Sequence, residues 1–437
     1  MKRMILTALC MLTLSLQAQK EWPQGVIYDS AWRDDVKTVQ LYRPGAELDF
    51  PLLIMGQESQ LVLEFDVMSD VLSERGGGAE ALQWRIYHCD RHWVCDKLEA
   101  SDFLSGFAEG TVEEFDFSFT TRRDYVHYRC VLPGPYAEFI LSGNYIVEVR
   151  SQESDAGSRR SDSAVLLTRR FCVSEQGVRV SAEVGRPYDG VDLDRRQEVD
   201  VRVDATGVNE QWLTVTVQQN GRLDNRRELV FSGYDGRALA FRQRKENIFD
   251  GGNTFRYLDC SNLHTPMYNV ARVEEYGGEQ FVLLRPEEDR SRKHFLTETT
   301  LNGGMKVNVW DRDNPRLEAD YVWVNFSLPM AQPMLEGNVY IVGSLTDWRL
   351  DEGSRMEYNP KHKAYTKRLL LKQGYYAYQL LVSNTKGGRI DGRSATAALE
   401  GDHRETHNRY TIFVYQHGPS DVAERLVAVS TAVGGVR

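Results

Sequence analysis

Strict alternation of apolar and polar residues, returning along the whole length of the chain, limits what this sequence can become. Leu61, Leu63, Phe65 and Val67 alternate with Val62, Glu64 and Asp66, and Tyr145, Val147 and Val149 with Ile146, Glu148 and Arg150. Successive side chains on an extended strand point to opposite faces, so each such segment buries one face and wets the other. The period returns in Val199, Val201 and Val203, in Leu213, Val215 and Val217, and in Val322, Val324, Phe326 and Leu328. Residues 339–342, 375–382 and 410–415 supply further strands. Long amphipathic helical patterns are absent, so the expected class is all-β and antiparallel. Asn220-Gly221 is a hairpin turn signal. The polar run from Ser151 to Ser163 reads as a hairpin tip, leading into a strand through Val165 to Val173.

A chain of 437 residues is too long for one all-β core. The economical division is three consecutive β-sandwich domains behind a signal peptide. The expected limits are 1–18 for the signal peptide, 19–175 for an N-terminal sandwich, 176–295 for a middle sandwich and 296–437 for a C-terminal immunoglobulin-like domain. The charged run from Arg285 to Lys293 reads as the connector between the last two. Ser142-Gly-Asn-Tyr145 and Gln373-Gly-Tyr-Tyr376 each place Gly two residues before a Tyr at the start of an alternating run. Both resemble the tyrosine corner of immunoglobulin-like sandwiches, in which the phenol ties the strand to upstream backbone.

Lys2 and Arg3 precede an apolar run from Met4 to Leu16, and Leu16-Gln-Ala18 is a small-residue cleavage site, the pattern of a secretory signal peptide. Cys10 lies inside that run and not at its end, which argues against a lipid anchor. No later apolar stretch approaches the ~20 residues that span a bilayer. A formal charge of -10 disfavours nucleic acid, whose phosphates call for a basic excess. Without Cys10 five cysteines remain: Cys89, Cys95, Cys130, Cys172 and Cys260. So sparse and odd a set is not a disulfide scaffold. Cys89 and Cys95 are close enough for one local bridge, while the other three read as small buried hydrophobes.

His88, Cys89, Asp90, His92 and Cys95, with His127 downstream, contain the atoms of a zinc site or a Cys-His pair. Their spacing points elsewhere. His88 and Cys89 are adjacent and face opposite ways on a strand, and no C-x-x-C or H-E-x-x-H accompanies them. Asp90 reads as a turn former with Trp93 packed beneath it. Asp102, Glu109, Glu113 and Glu114 are plentiful acids, yet nothing marks two of them as facing each other across a cleft. Gly251-Gly252 and Gly303-Gly304 lack the frame of a phosphate loop and read as turns. The expectation is therefore no catalytic residue, no metal and no cofactor.

Val339-Tyr-Ile-Val-Gly-Ser-Leu-Thr-Asp-Trp348, with Met356, Tyr365, Leu369, Gly374 and Tyr375-Tyr-Ala-Tyr378, resembles the glycogen- and starch-binding immunoglobulin-like modules. Those modules stack sugar on exposed tryptophans, and Trp348 matches one such position. After Leu381-Val382 the chain reads Ser-Asn-Thr-Lys-Gly-Gly where the modules bring a second tryptophan. The resemblance thus implies the fold, and glycan binding is not expected.

A second resemblance runs along nearly the whole remaining length. Its residues are Tyr87-His-Cys-Asp90 with Trp93 and Leu98, Phe103-Leu-Ser-Gly-Phe107, Tyr125-Val-His-Tyr128, Leu141-Ser-Gly-Asn-Tyr145 and Thr168-Arg-Arg-Phe171. Gln218-Gln-Asn-Gly-Arg222 with Asp224-Asn225, Phe249-Asp-Gly-Gly-Asn253 with Phe255-Arg256, Glu400-Gly-Asp-His403 and Thr406-His-Asn-Arg-Tyr410 continue it. The series is similar to the plug protein family of the type IX secretion system. Cys95 stands where the family has proline, and Leu223 where it has tryptophan. The resemblance implies a non-enzymatic periplasmic protein that closes the periplasmic mouth of a very large outer-membrane translocon barrel. No residue is assigned to that contact, although the aromatic and glycine content of residues 87–107 and 249–256 suggests loops that meet a partner. The rival reading is an exported glycan-binding protein or glycosidase accessory protein, resting on Trp348 and the acids.

Overall fold

The computed structural model describes residues 23–68, 78–152, 165–204, 206, 208–297, 301–383, 385–386, 389–390 and 396–435. The signal-peptide segment and most of the 151–163 tip lie outside them. Among the described residues, strands dominate and no helix is long and apolar enough to cross a membrane.

The strands pair into three sandwiches. In the first, Gly143–Ser151 lies between Leu82–Cys89 and Val165–Ser174, and this sheet faces another built from Val36–Tyr42, Leu61–Met68, Tyr125–Leu132 and Glu114–Phe117. Leu63, Phe65, Val67 and Tyr128 from one sheet meet Trp84, Ile86, Tyr145 and Val147 from the other in a single buried core. The strands on either side of the polar run read as a hairpin tip, Gly143–Ser151 and Val165–Ser174, pair antiparallel.

In the second sandwich, Arg179–Gly185, Arg196–Asp204 and Ala238–Phe241 face a sheet that contains Leu213–Gln219. The remaining long strands of that sheet, Arg409–Gln416 and Arg425–Val433, come from the far end of the chain. Val199, Val201 and Val203 pack there against Val215, Val217, Ile412 and Val414. The third sandwich sets Arg256–Asp259, Asn338–Val342 and Gly374–Ser383 against Val270–Tyr276, Glu279–Leu284, Tyr321–Pro329 and Ala364–Lys372.

The expected linear division is corrected by this pairing. A boundary at 295/296 would cut the third sandwich, which is inserted whole between strands of the second. Arg285–Lys293 accordingly joins two parts of the third sandwich and connects no domains. Sequence period could not reveal this, because alternation reports that a strand has a buried face and not which strand lies beside it.

Both tyrosine corners are present. Tyr145 donates its hydroxyl to the Leu141 carbonyl at 2.6 Å and Tyr376 to the Lys372 carbonyl at 2.5 Å. Their glycines are constrained by space as well as by φ, at +156° for both Gly143 and Gly374. A Cβ on Gly143 would strike the His88 ring, and one on Gly374 the Lys306 carbonyl.

Candidate partner-binding surface

The faces that alternation predicts to be wet are not wet in the first sandwich. All of Leu61–Met68 is buried, and so are Asn144, Ile146 and Glu148 on Gly143–Ser151. The other two sandwiches cover them, so the three do not stand in a row: the first touches both of its neighbours.

Against the third sandwich the cover is polar. Asp66, whose side chain is 1% exposed, accepts from Lys372 Nζ and the Tyr321 hydroxyl, both at 2.6 Å, while His127 Nδ1 lies 2.7 Å from its other oxygen. Burial alone would raise the Asp66 pKa, but Lys372 and His127 overcome it and hold the carboxyl below its ordinary range. Arg169 pairs with Asp347 at 2.7 Å on the same side.

The second sandwich provides an apolar cover. Tyr87, Cys89, Trp93 and Ile146 pack with Phe413, Tyr415 and Leu426 in one cluster. Polar ties rim it: Arg91 to Glu424 at 2.8 Å, Arg226 to the Arg91 carbonyl, and Tyr415 to Asn144 at 3.0 Å.

The second and third sandwiches meet where the chain passes out and back. Gly251 N donates to the Arg195 carbonyl at 2.8 Å, His403 N to the Gly252 carbonyl at 2.9 Å, and Asn408 Nδ2 to the Gly251 carbonyl at 2.7 Å. Gly251 is obligatory, since a Cβ would enter the His403 carbonyl. Gln219, Asn220 and Gln197 tie the same crossing.

The residues singled out by sequence are thereby placed. His88 lies 2.5 Å from Asp96 on the core side, Cys89 faces the second sandwich, and Asp90 Oδ1 accepts from His92 N and Val94 N as a turn former should. His127 sits on the opposite sheet from His88. Among the described residues no group of His, Cys, Asp and Glu is arranged to hold a metal ion. Asp102 caps Glu99 N, Glu109 pairs with Arg85, Thr111 donates to Glu113, and Glu114 pairs with Arg129. None of these four carboxylates faces another.

The structure does bring together an acid pair that spacing alone did not flag. Glu198 and Asp200 share a strand, and burial raises both carboxyls. Glu198 spends its oxygens on the Tyr188 and Gln243 amides, at 2.9 Å for the latter, a loop-tying role.

One expectation is overturned, and the residue behind the rival glycan reading is placed. Trp348 is no open sugar platform: it is half-buried, edge-on to Phe255 at 6.0 Å and directly over Gly303, in the turn whose Asp347 reaches Arg169. Residues 249–256 are not an adaptable surface either, because Asn253, Thr254, Phe255 and Arg256 are buried in the crossing. In residues 87–107 Tyr87, Trp93, Phe103 and Leu104 are likewise buried, and Phe107 is exposed.

Exposed aromatic side chains stand on all three sandwiches, and two groups of them lie on the first. Phe107, Tyr136 and Ile140 project from adjoining loops, beside a groove of about 870 Å³ lined by Arg43, Met55, Glu58 and Phe139. Along the sheet edge, Glu114–Phe117 is exposed throughout, with Phe115 and Phe117 at 45% and 57%. Ser118 N donates to the Tyr125 carbonyl at 2.9 Å. Alternate residues turn their backbone toward a paired strand, so Phe115 and Phe117 turn theirs outward. The next outward amide, Phe119, is taken at 3.1 Å by the Leu317 carbonyl of the third sandwich. An edge with unpaired backbone groups and aromatic side chains is a template for added strand.

Residues 36–175 match the family model described as the type 9 secretion system plug protein first domain. Among solved structures, the chain is similar to a hypothetical protein from Parabacteroides merdae ATCC 43184, with a TM-score of 0.86 and 27% identity. The likeness covers 94% of this chain and 100% of that one. No curated protein matches the chain.

Proposed function

Residues 36–175 belong to the plug-protein first-domain family of the type 9 secretion system, and from that premise we propose that the whole molecule is a non-enzymatic plug closing the periplasmic side of the outer-membrane translocon barrel. A role related to type IX secretion follows from the family itself. The more specific reading is supported by one observation: the family-matched sandwich is clasped by both others, its outward strand faces buried on either side. Packed cores and ladders resist deformation, so the unit is a stiff body of the kind a pore needs for closure. The surface we assign to the barrel is the Phe115–Phe117 edge with the Phe107, Tyr136 and Ile140 loops, exposed on the family-matched sandwich.

On this reading the leader is removed and the exported chain begins at Gln19 or close to it, which N-terminal sequencing checks. Tagged protein captured from gently solubilised outer membranes should bring down the barrel, and a Phe117→Asp variant of unchanged melting temperature should bring down less. Deleting the protein should leave the assembled translocon leaky to large antibiotics, with cargo secretion not abolished. An unchanged permeability barrier together with no barrel in the capture would sink the plug. Retention of the intact protein on α-glucan beads would then favour the glycan reading.

A further inference from the structure

Cys89 and Cys95 form an antiparallel β-bridge across the Asp90–Val94 turn. The Asp90 amide donates to the Val94 carbonyl at 2.9 Å, one residue inside the bridge. That phase makes Cys89 and Cys95 a non-hydrogen-bonded pair, the site at which opposing side chains approach most closely. Opposite residues there have Cα atoms ~4.5 Å apart, within the range a disulfide spans. Both side chains belong to one apolar cluster, with Trp93 and Ile146, so they point the same way. Cys130, Cys172 and Cys260 share no such bridge with one another.

We propose that Cys89 and Cys95 are a modification site, joined by a cross-strand disulfide in the exported protein. The Cys95 thiolate attacks a disulfide of an oxidising partner, either the disulfide form of a thiol–disulfide exchange protein or glutathione disulfide. The resulting mixed disulfide is attacked by the Cys89 thiolate, which expels the oxidant as thiol. One S–S bond forms and one breaks, the two cysteines lose two electrons and two protons, and the oxidant gains them. Cys95 suits the first step because a hydrogen bond from the Cys89 thiol lowers its pKa, whereas Cys89 is the more deeply buried.

The staple would act on the joint with the second sandwich. Its turn carries Arg91, whose guanidinium is held by Glu424 and whose carbonyl accepts from Arg226, both of the second sandwich. Fixing the turn presents both groups to the second sandwich in one geometry. The proposal rests on the plug reading only for its oxidising compartment.

The test uses the full mature protein taken from the cell envelope, alkylated under denaturing conditions without reductant and digested with trypsin. Cleavage after Arg85, Arg91 and Lys97 leaves Cys89 in Ile86–Arg91 and Cys95 in His92–Lys97. The two peptides should appear as one linked species, lighter than their sum by two hydrogen atoms and separated by reduction. Reductant should lower the melting temperature of this protein and leave that of a Cys89→Ala/Cys95→Ala variant unchanged. Two separate, alkylated peptides would overturn the bridge, and an equal effect of reductant on both proteins would overturn the staple. Failure to capture the barrel with a bridged protein counts against the plug alone.

Discussion

Asp402 stands in the crossing between the second and third sandwiches, where it accepts from Gly252 N at 2.9 Å. Burial, with the nearby Asp250 charge, pushes its pKa up to about 6. The folded protein therefore binds this proton more tightly than the unfolded chain does. Below the unfolded value, near 4, the group is neutral in both states and costs nothing. Stability is lost as pH rises through 6, by an amount of order 2 kcal/mol once the carboxylate is ionised. Asp402→Asn keeps the acceptor and removes the charge. It should raise the melting temperature at pH 8 and leave it unchanged at pH 4, as thermal scans at the two pH values would show. Buried Tyr145 and Tyr376 pose a simpler case, since Phe in place of either deletes one hydroxyl and leaves a buried carbonyl without its donor. Each change should cost about 1 kcal/mol in denaturant titrations.

At the scale of elements, the third sandwich is pinned through Arg256 on the strand Arg256–Asp259. Its guanidinium meets Glu400 at 2.9 Å and Glu287 at 2.6 Å. Arg290 meets the second oxygen of Glu400 at 2.5 Å, and Leu380 N donates to the first at 2.7 Å. Burial would raise the Glu400 pKa, but the two arginines override it and hold the carboxyl below its ordinary range. This contribution is present above the unfolded pKa and disappears as pH falls through the folded one. Arg256→Met should cost about 3–5 kcal/mol at neutral pH, because it leaves buried Glu287 without its cation and buried Glu400 with Arg290 alone. The loss should shrink in acid, where Glu400 takes up a proton. Equilibrium unfolding at neutral and acidic pH measures both.

For the whole molecule, the decisive joint is that between Asp66 of the first sandwich and Lys372 of the third, both side chains 1% exposed. Lys372→Met leaves Asp66 buried without its cation and should destabilise by about 3–5 kcal/mol at neutral pH. If the sandwiches were independent, the change would spare the first, so melting of the first sandwich should be followed separately. Hydrogen exchange in Leu61–Met68 and Tyr125–Leu132 should accelerate in the variant, and unchanged protection there would refute a rigid, clasped body.

Alternation in 61–67, 145–149, 199–203 and 322–328 was enough to establish an all-β chain and its strands, because one buried face per strand is a local property written at period two. The hairpin at Asn220-Gly221 and both tyrosine corners were legible for the same reason, each needing particular residues at fixed short spacing. The Tyr87–Asp90, Phe249–Arg256 and Glu400–Tyr410 stretches stood out in the sequence as well, but their role did not. Tertiary structure decided that they are joints, since a loop that meets another sandwich and a loop that meets a foreign partner use the same glycines, aromatics and amides. It also decided that Asp66 and Glu148, polar and apparently wet, are buried, and that Arg409–Val433 returns to the second sandwich. Such outcomes depend on pairings hundreds of residues apart, which hydrogen-bond register and packing select and local sequence does not encode.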